Sequence, residues 1–269
     1  MLPRVSQVEC VEANYLLFSN EDMISNTLFT TGVWEERVLK VAKFFLAELD
    51  APLVLDIGAN LGACSIPLAK QIAGTGGKVI GFEPQRIVYY QLCGNIVLNR
   101  LDNFYAMNAA VGEADGVVDI PEIDYQNNKN IGAFSIDARY RQHHGIEAAM
   151  KAGKHKVPLI ALNTFEVEKP PALIKLDVEG FELNVLKGAT DFLPNNGYPP
   201  IIFEAWPYSW FKEGREELLS FVTSLGYNIT NISRGDCVAQ HPKHPTGVAF
   251  EAADNNVIHM RRTKATTNN

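Results

Sequence analysis

The chain has 269 residues, 46% of them hydrophobic and 20% charged, a balance typical of a globular protein with room for one large domain. Its net charge of −7, without a long run of Lys or Arg, argues against a nucleic-acid partner. No apolar run reaches the roughly 18–20 residues that span a bilayer, and the N-terminus lacks a secretory pattern, so we expect a cytoplasmic protein without a membrane partner.

The first 34 residues show no sustained hydrophobic period, whereas regular patterns begin at Glu35. We therefore predict an N-terminal extension at 1–34, one domain at 35–262 and a disordered tail at 263–269. Apolar residues recur at helical spacing from Glu35 to about Asp50, which predicts an amphipathic helix.

A glycine turn follows the first apolar strand. Leu53–Ile57 is apolar except for Asp56, the pattern breaks at Gly58, and a helical pattern begins after Gly62. Glycines let the main chain approach a ligand, and a helix start offers free N–H donors. This stretch is a candidate binding turn, and the alternative is an ordinary strand-to-helix turn of an α/β domain.

The rest of the chain alternates between strands and helices, with one interruption. Between the third and fourth main strands, the segment 116–164 shows short alternating patterns and a polar stretch, which predict a β excursion with a loop or short helix at 137–156. The predicted strands are 78–84, 104–111, 116–123, 131–136, 157–164, 172–177, 201–204, 227–232, 247–251 and 257–261, and the further predicted helices are 86–100, 181–193 and 213–225.

Repeated strand and helix units predict an α/β fold with a doubly wound, mostly parallel sheet. Ligands of such sheets bind beyond the carboxyl ends of the strands. Acidic residues fall at these ends in four predicted strands, namely Asp56, Glu83, Asp177 and Glu204.

Glu83 follows the glycine turn by about twenty residues, the spacing at which an acid meets a ribose diol in nucleotide-binding α/β units. A dinucleotide site requires GxGxxG, but here Asp56 precedes Gly58 and Asn60 stands where the second glycine belongs. A carboxylate there would repel a pyrophosphate and suit a cation. The pattern therefore favours S-adenosylmethionine over a nicotinamide dinucleotide.

The sequence resembles the FkbM family of S-adenosylmethionine-dependent methyltransferases over about residues 34–206. It departs from the family pattern at Asn163, where the family usually has an acid. The segments that carry the resemblance are 54–65, Gly81-Phe82-Glu83-Pro84, 95–99, 108–112, Ile174-Lys175-Leu176-Asp177-Val178-Glu179-Gly180-Phe181-Glu182 and 185–189.

The resemblance implies a seven-stranded Rossmann-like sheet with one antiparallel strand near an edge. It further implies that the glycine turn lines the cofactor, that Glu83 holds the ribose, that residues 108–110 lie by the adenine, and that Glu35 reaches the methionine end. The predicted cofactor-binding residues are Glu35, Asp56, Gly58, Ala59, Asn60, Gly62, Ser65, Glu83, Pro84, Asn108, Ala109, Ala110 and Asp177.

Methyl transfer to a hydroxyl requires alignment of the nucleophile and removal of its proton. Glu204 and Glu179 are the candidate bases because they end or follow neighbouring strands, and His155 is a further candidate from the excursion. The alternative roles are a partner for the buried Lys175 in the case of Glu204, and a helix-start acid in the case of Glu179. The aromatic residues after Glu204, beginning with Trp206, are either a packed cover or a wall for the acceptor.

We expect O-methylation of a hydroxyl on a sugar or another natural-product precursor, with S-adenosylhomocysteine as product and segment 116–164 covering the acceptor side. The alternatives are N-methylation of a peptide side-chain amide and a non-catalytic S-adenosylmethionine-binding module. No metal site is predicted, because the four cysteines lie far apart and the histidine pairs, such as His143 and His144, lie in polar loops. An oligomer is possible on this sequence, and nothing in it argues for one.

Overall fold

The structure is a computed structural model that describes residues 2–19, 22–127, 150–252 and 258–263, together with Ile131, Ser135, Arg141 and His143. Within this part of the chain the helices, in order, are α1 (Met23–Thr31), α2 (Glu36–Leu46), α3 (Ser65–Ile72), α4 (Arg86–Leu98), α5 (Glu182–Lys187), α6 (Phe192–Asn195) and α7 (Lys212–Ser224). The strands are β1 (Val5–Glu9), β2 (Asn14–Phe18), β3 (Leu53–Ile57), β4 (Lys78–Phe82), β5 (Phe104–Met107), β6 (Ala110–Gly112), β7 (Gly116–Ile123), β8 (Met150–Ala161), β9 (Leu173–Leu176), β10 (Ile201–Glu204), β11 (Asn228–Asn231), β12 (Asp236–Gln240), β13 (Val248–Ala252) and β14 (Ile258–Arg262).

Seven strands form the central sheet, in the order β11-β12-β10-β9-β3-β4-β5. The pairings from β10 across to β5 are parallel, and β12 pairs antiparallel with both β10 and β11. The sequence prediction of a seven-stranded α/β sheet with one antiparallel strand near an edge is confirmed, although the sheet is mixed rather than parallel throughout. The carboxyl ends of β3, β4, β9 and β10 therefore meet at one edge.

Each face of the sheet is covered by apolar side chains. Val54 and Val79 pack with α2 and α3 in one buried cluster, whereas Leu55 and Ile174 pack with α5 and α7 in another. Every residue of β3 is buried, which explains its nearly continuous apolar sequence. No helix within the described residues has the length and apolar character needed to cross a membrane.

The N-terminal 34 residues contain regular structure that the sequence did not indicate. β1 and β2 form a hairpin, and amide side chains of α4 replace a further strand beside β2. Asn95 Oδ1 accepts a hydrogen bond from Leu16 N at 2.6 Å, and Gln91 Nε2 donates to Leu16 O at 2.7 Å. The hairpin is short and half buried, so its hydrophobic pattern alone does not mark it.

The predicted β excursion lies between β5 and β9, as expected, and forms a sheet in the order β6-β8-β7. Two boundaries were wrong. The predicted strand at 104–111 is split into β5 and β6, which belong to different sheets, and β8 extends through 150–156, where a loop or short helix was expected. Most of the strand predicted at 131–136, most of 137–149 and the tail after Thr263 lie outside the described residues.

The helix predicted at 181–193 is also wrong, because the structure has two short helices there, α5 and α6. Gly188 between them packs so closely on β6 that a Cβ atom would lie 2.0 Å from Gly112 O. Asn163 Oδ1 then accepts hydrogen bonds from Asp191 N and Phe192 N at the start of α6. The residue that departs from the family pattern therefore supports a helix start.

Candidate active site

A cavity of about 360 Å³ opens where the carboxyl ends of the parallel strands meet. This volume lies within the roughly 300–1,000 Å³ that is usual for small-ligand sites. Of the predicted site residues, those that line the cavity are Glu35, Gly58, Ala59, Asn60, Glu83, Pro84, Ala109, Ala110, Asp177, Glu179 and Glu204.

The glycine turn after β3 is held by contacts that other residues would disrupt. Gly58 has a φ of +88°, and a Cβ atom there would lie 1.7 Å from Asp177 O. Gly58 N and Ala59 N donate to Phe82 O at 3.0 and 2.9 Å, which fixes the turn beside the end of β4. Non-glycine residues with positive φ also line the cavity, namely Glu35, Asn60 and Glu179. Such strained conformations are typical of functional sites.

Glu83 is held at the cavity wall by two main-chain amides. Its Oε2 accepts a hydrogen bond from Asn60 N at 3.0 Å, and its Oε1 accepts one from Gln85 N at 2.8 Å. Only 4% of Glu83 is exposed. Burial raises the pKa of Glu83 to about 8, although the two amides favour its charged form. The carboxylate is thus oriented, and a hydroxyl-bearing ligand can reach its remaining lone pairs.

A buried lysine stands among the acids of the site. Lys175 Nζ lies 3.0 Å from Asp177 Oδ2 and 3.5 Å from Asp56 Oδ1. Burial opposes the charge of Lys175, but the two carboxylates hold its pKa well above its ordinary value. Burial and the nearby Asp177 raise the pKa of Glu35 to about 8. The ion pairs of Lys175 are therefore with Asp177 and Asp56, and not with Glu204 as the alternative role for Glu204 would require.

Glu204 and Glu179 line the cavity close to its aromatic wall, which includes Trp206 and Tyr208. Burial, together with the charges of Asp177, Glu179 and Glu182, raises the pKa of Glu204. Trp206 is 7% exposed and packs on Phe211 with ring centroids 5.1 Å apart, whereas Tyr208 is 45% exposed. The aromatic residues therefore provide both a packed cover and part of the cavity wall.

The excursion reaches the same aromatic group. The His143 ring stacks on Trp210 with centroids 4.2 Å apart, and His143 is exposed to solvent. His144 lies outside the described residues. Within the described chain, no group of three or more His, Cys, Asp and Glu side chains is arranged to hold a metal ion.

Five predicted site residues do not line the cavity. Asp56 is fully buried beneath it and pairs with Lys175, and Asn108 Nδ2 donates to Glu83 O and Pro84 O at 2.9 and 3.1 Å. His155 lies behind the wall, where its Nε2 is 3.2 Å from both Arg86 N and Pro84 O. The remaining two are Gly62, which makes room for Ile66, and Ser65, which is buried at the start of α3.

The cavity is also lined by residues that the sequence did not indicate. Met23 and Ile24 of α1 and Trp34 reach the cavity from the predicted extension, and Gln85 lies beside Glu83. The only sequence signal for Gln85 was its position directly after Glu83 and Pro84. The residues of α1 gave no signal, because the N-cap of α1, Asp22, is held by Ile131, which lies far along the chain.

The order of the sheet, the glycine turn at the end of β3 and the acid at the end of β4 define a Rossmann-like methyltransferase of the S-adenosylmethionine type. The Methyltransferase FkbM domain model matches residues 56–229, well over half of the chain. The chain therefore belongs to the FkbM methyltransferase family, which confirms the resemblance noted in its sequence.

Individual relatives have low sequence identity to this chain. Methyltransferase sdnD of Sordaria araneosa is 26% identical over 206 residues, which cover 66% of this chain and 74% of that protein. The crystal structure of a methyltransferase FkbM from Methylobacillus flagellatus KT matches 72% of this chain at 18% identity with a TM-score of 0.45, and the match spans 45% of that longer chain. A precorrin-6y C5,15-methyltransferase from Geobacter metallireducens GS-15 matches 78% of this chain and 90% of its own at 11% identity, with a TM-score of 0.46.

Proposed function

We propose that this enzyme transfers the methyl group of S-adenosylmethionine to a hydroxyl on a sugar or another natural-product precursor. The observation that carries the cofactor part of the proposal is the orientation of Glu83, whose two oxygens accept hydrogen bonds from Asn60 N and Gln85 N at the cavity wall. Each oxygen keeps a lone pair for one hydroxyl of a ribose diol. The hydroxyl acceptor rests on the FkbM family alone.

The charge of the cavity fits a cationic nucleoside. Among the described lining residues, five carboxyl groups face the single ammonium of Lys175, which already pairs with Asp177 and Asp56. A site with this excess of acid attracts a ligand that carries an ammonium and a sulfonium, and it repels a pyrophosphate. The carboxyl groups of the lining are Glu35, Glu83, Asp177, Glu179 and Glu204.

Each part of the reaction has a residue suited to it. S-adenosylmethionine, when bound, supplies a methyl group on a positively charged sulfur, and S-adenosylhomocysteine is the product. Glu83 holds the ribose, Glu35 is the acid for the ammonium of the methionine end, and Glu204 accepts the proton of the acceptor hydroxyl as its oxygen attacks. Burial and the neighbouring acids raise the pKa of Glu204, which makes its ionised carboxylate a stronger proton acceptor.

Calorimetry followed by a product assay tests the cofactor and the acceptor separately. We expect S-adenosylmethionine and S-adenosylhomocysteine to bind with one site per chain and NADH not to bind. We then expect hydroxyl-bearing acceptors to release S-adenosylhomocysteine and to carry the label as an ether. Label in a peptide that survives base hydrolysis would instead indicate N-methylation of an amide, and binding without release by any acceptor class would indicate a binding module.

Glu204→Gln tests the base. We expect kcat to fall by roughly 100-fold or more, the usual contribution of a general base, while the Kd for S-adenosylhomocysteine changes less than about twofold, since the amide keeps the shape of the side chain. Release of S-adenosylhomocysteine and calorimetry on the same preparation give the two values. Undiminished turnover would remove Glu204 from this role.

A further inference from the structure

Gln85 connects the two sides of the cavity. Its main-chain N–H donates to Glu83 Oε1 at 2.8 Å, and its side-chain Nε2 donates to Ile131 O at 3.1 Å. Gln85 lines the cavity and is 3% exposed, and Ile131 is also 3% exposed. Gln85 therefore bridges the acid of the candidate cofactor site, through its main chain, and the main chain of the excursion, through its side chain.

The connection continues from Ile131 to helix α1. Ile131 N donates to Asp22 Oδ1 at 2.9 Å, and Asp22 Oδ2 accepts a hydrogen bond from Ser25 N at 2.9 Å as the N-cap of α1. Asp22 is 3% exposed, and the first residues of α1, Met23 and Ile24, line the cavity. A series of buried hydrogen bonds thus leaves the cavity wall at Glu83 and returns to it at α1.

We propose that Gln85 is a positioning residue that couples cofactor binding at Glu83 to the placement of helix α1 through the main chain of Ile131. We call the residues Glu83, Gln85, Ile131 and Asp22 the Gln85 link. The inference rests on the proposed function, because it assigns the ribose of the cofactor to Glu83. A ligand that fixes the carboxylate of Glu83 favours the arrangement in which every bond of the link is made. By thermodynamic reciprocity, an intact link strengthens cofactor binding by the same factor.

The chemistry of the link supports this coupling. Its groups are almost wholly removed from water, where a broken hydrogen bond leaves a donor or acceptor unpaired. The bond from Gln85 to Glu83 uses the main chain, whereas the bond to Ile131 uses the side chain. A substitution of Gln85 can therefore cut the link and leave the hydrogen bond to Glu83 in place.

Amide hydrogen exchange in the full chain, read by NMR at Ile131 and Ser25 with and without S-adenosylhomocysteine, tests the proposal. We expect the nucleoside to slow exchange of both amides by about tenfold in the wild type, within the roughly 5–150-fold range of coupled sites. In Gln85→Leu we expect the slowing to fall below about twofold, although calorimetry still detects binding with a Kd raised by about tenfold at most. Asp22→Asn cuts the other end of the link, because Ile131 N and Ser25 N bond to different oxygens of Asp22 and the substitution turns one of them into an NH2 donor, so it is expected to abolish the slowing as well.

Gln91→Leu is the matched control. Gln91 lies within α4, is 8% exposed and, like Gln85, donates its Nε2 to a main-chain oxygen, but that oxygen belongs to Leu16 of the hairpin. We expect this variant to keep the wild-type slowing. Equal slowing in Gln85→Leu and the wild type would overturn the link, and so would its equal loss in Gln91→Leu. Absence of any binding heat in the wild type would overturn the proposed cofactor together with the link, whereas binding without a change at Ile131 would overturn the link alone.

Discussion

Gly58 has the closest main-chain contact in the glycine turn. Its φ of +88° is disfavoured for residues with a Cβ atom, and a Cβ atom there would lie 1.7 Å from Asp177 O. The carbonyl belongs to the main chain beside β9, so it cannot move aside as a side chain does. A single glycine therefore allows β3 and β9 to bring their ends together at the cavity.

Gly58→Ala is expected to lower the free energy of unfolding by at least about 3 kcal/mol, at the upper end of single substitutions. It should also abolish binding of S-adenosylhomocysteine in calorimetry. Gly74→Ala is the control, because nothing lies within 4 Å of a Cβ atom at Gly74, and it should leave both urea unfolding and binding nearly unchanged. Similar behaviour of the two variants would contradict the role given to Gly58.

Glu83→Ala is expected to weaken S-adenosylhomocysteine binding by on the order of 1–3 kcal/mol, because charged hydrogen bonds to the ribose are lost. Asp115→Asn is a suitable control, since Asp115 also accepts a main-chain hydrogen bond, from Ala161 N at 2.8 Å, but does not line the cavity. Calorimetry should show an unchanged Kd for the control. An unchanged Kd for Glu83→Ala would rule out its role in ribose binding.

At the scale of elements, α4 connects the N-terminal hairpin to the glycine turn. Asn95 is fully buried, accepts from Leu16 N of β2 and donates to Leu61 O of the turn at 2.9 Å. Tyr15 of β2 adds a second bond, from its hydroxyl to Ala63 O at 3.2 Å. The hairpin therefore supports the turn that lines the cavity.

Asn95→Leu should destabilise the protein by about 2–4 kcal/mol, because it leaves the half-buried Leu16 N and the buried Leu61 O without their partner. It should also weaken S-adenosylhomocysteine binding. Asn103→Leu loses two comparable bonds, to Ala69 O and Gly77 O, that are remote from the turn. Urea unfolding should show a loss in both variants and calorimetry a loss only in Asn95→Leu, so equal binding by the two would contradict the connection.

The sequence predicted elements well where burial and periodicity agree, and poorly where packing alone decides. β3 and β4 read as buried strands because both faces are covered, and α2 reads as amphipathic because one face is exposed. β1 and β2 are short and show no such pattern. Side-chain amides of α4, instead of a further strand, bond to the main chain of β2. The split of 104–111 into β5 and β6 depends on which sheet each half joins, which a local pattern does not encode.

For the molecule as a whole, buried acids set how stability depends on pH. Burial raises the pKa of Glu35 and of Glu83 to about 8 and that of Glu182 to about 7. Unfolded glutamates lose their proton near pH 4.5, so between pH 5 and 8 these three side chains bind more protons in the folded chain than in the unfolded chain. The free energy of unfolding must then fall as the pH rises through this range.

We therefore expect the cofactor-free protein to be less stable at pH 8 than at pH 6, with each of these groups contributing at most about 1.4 kcal/mol per pH unit. Urea unfolding at the two pH values measures the difference. Saturating S-adenosylmethionine should reduce the decline, because a cation in the cavity favours the ionised acids. Higher stability at pH 8 than at pH 6 without cofactor would contradict these pKa shifts.

The acids of the candidate site could be predicted because parallel strands bring their carboxyl ends together. Glu83, Asp177 and Glu204 all reach the cavity from such ends, whereas Asp56 shares a face of β3 with Val54 and pairs instead with Lys175. The presence of Met23 and Ile24 in the cavity wall could not be predicted. It depends on the contact between Asp22 and Ile131, which lie far apart in the sequence. The residue that ends a strand can be identified from the sequence of that strand, whereas the placement of α1 cannot be identified from the sequence of α1.

The central claim is that a sulfonium nucleoside occupies this cavity with its ribose on Glu83. A crystal structure of the protein with S-adenosylhomocysteine tests it most directly. We predict both ribose hydroxyls within hydrogen-bond distance of the Glu83 carboxylate, with the amino-acid end toward Glu35. An empty cavity at saturating nucleoside, or a nucleoside bound elsewhere on the protein, would contradict the claim.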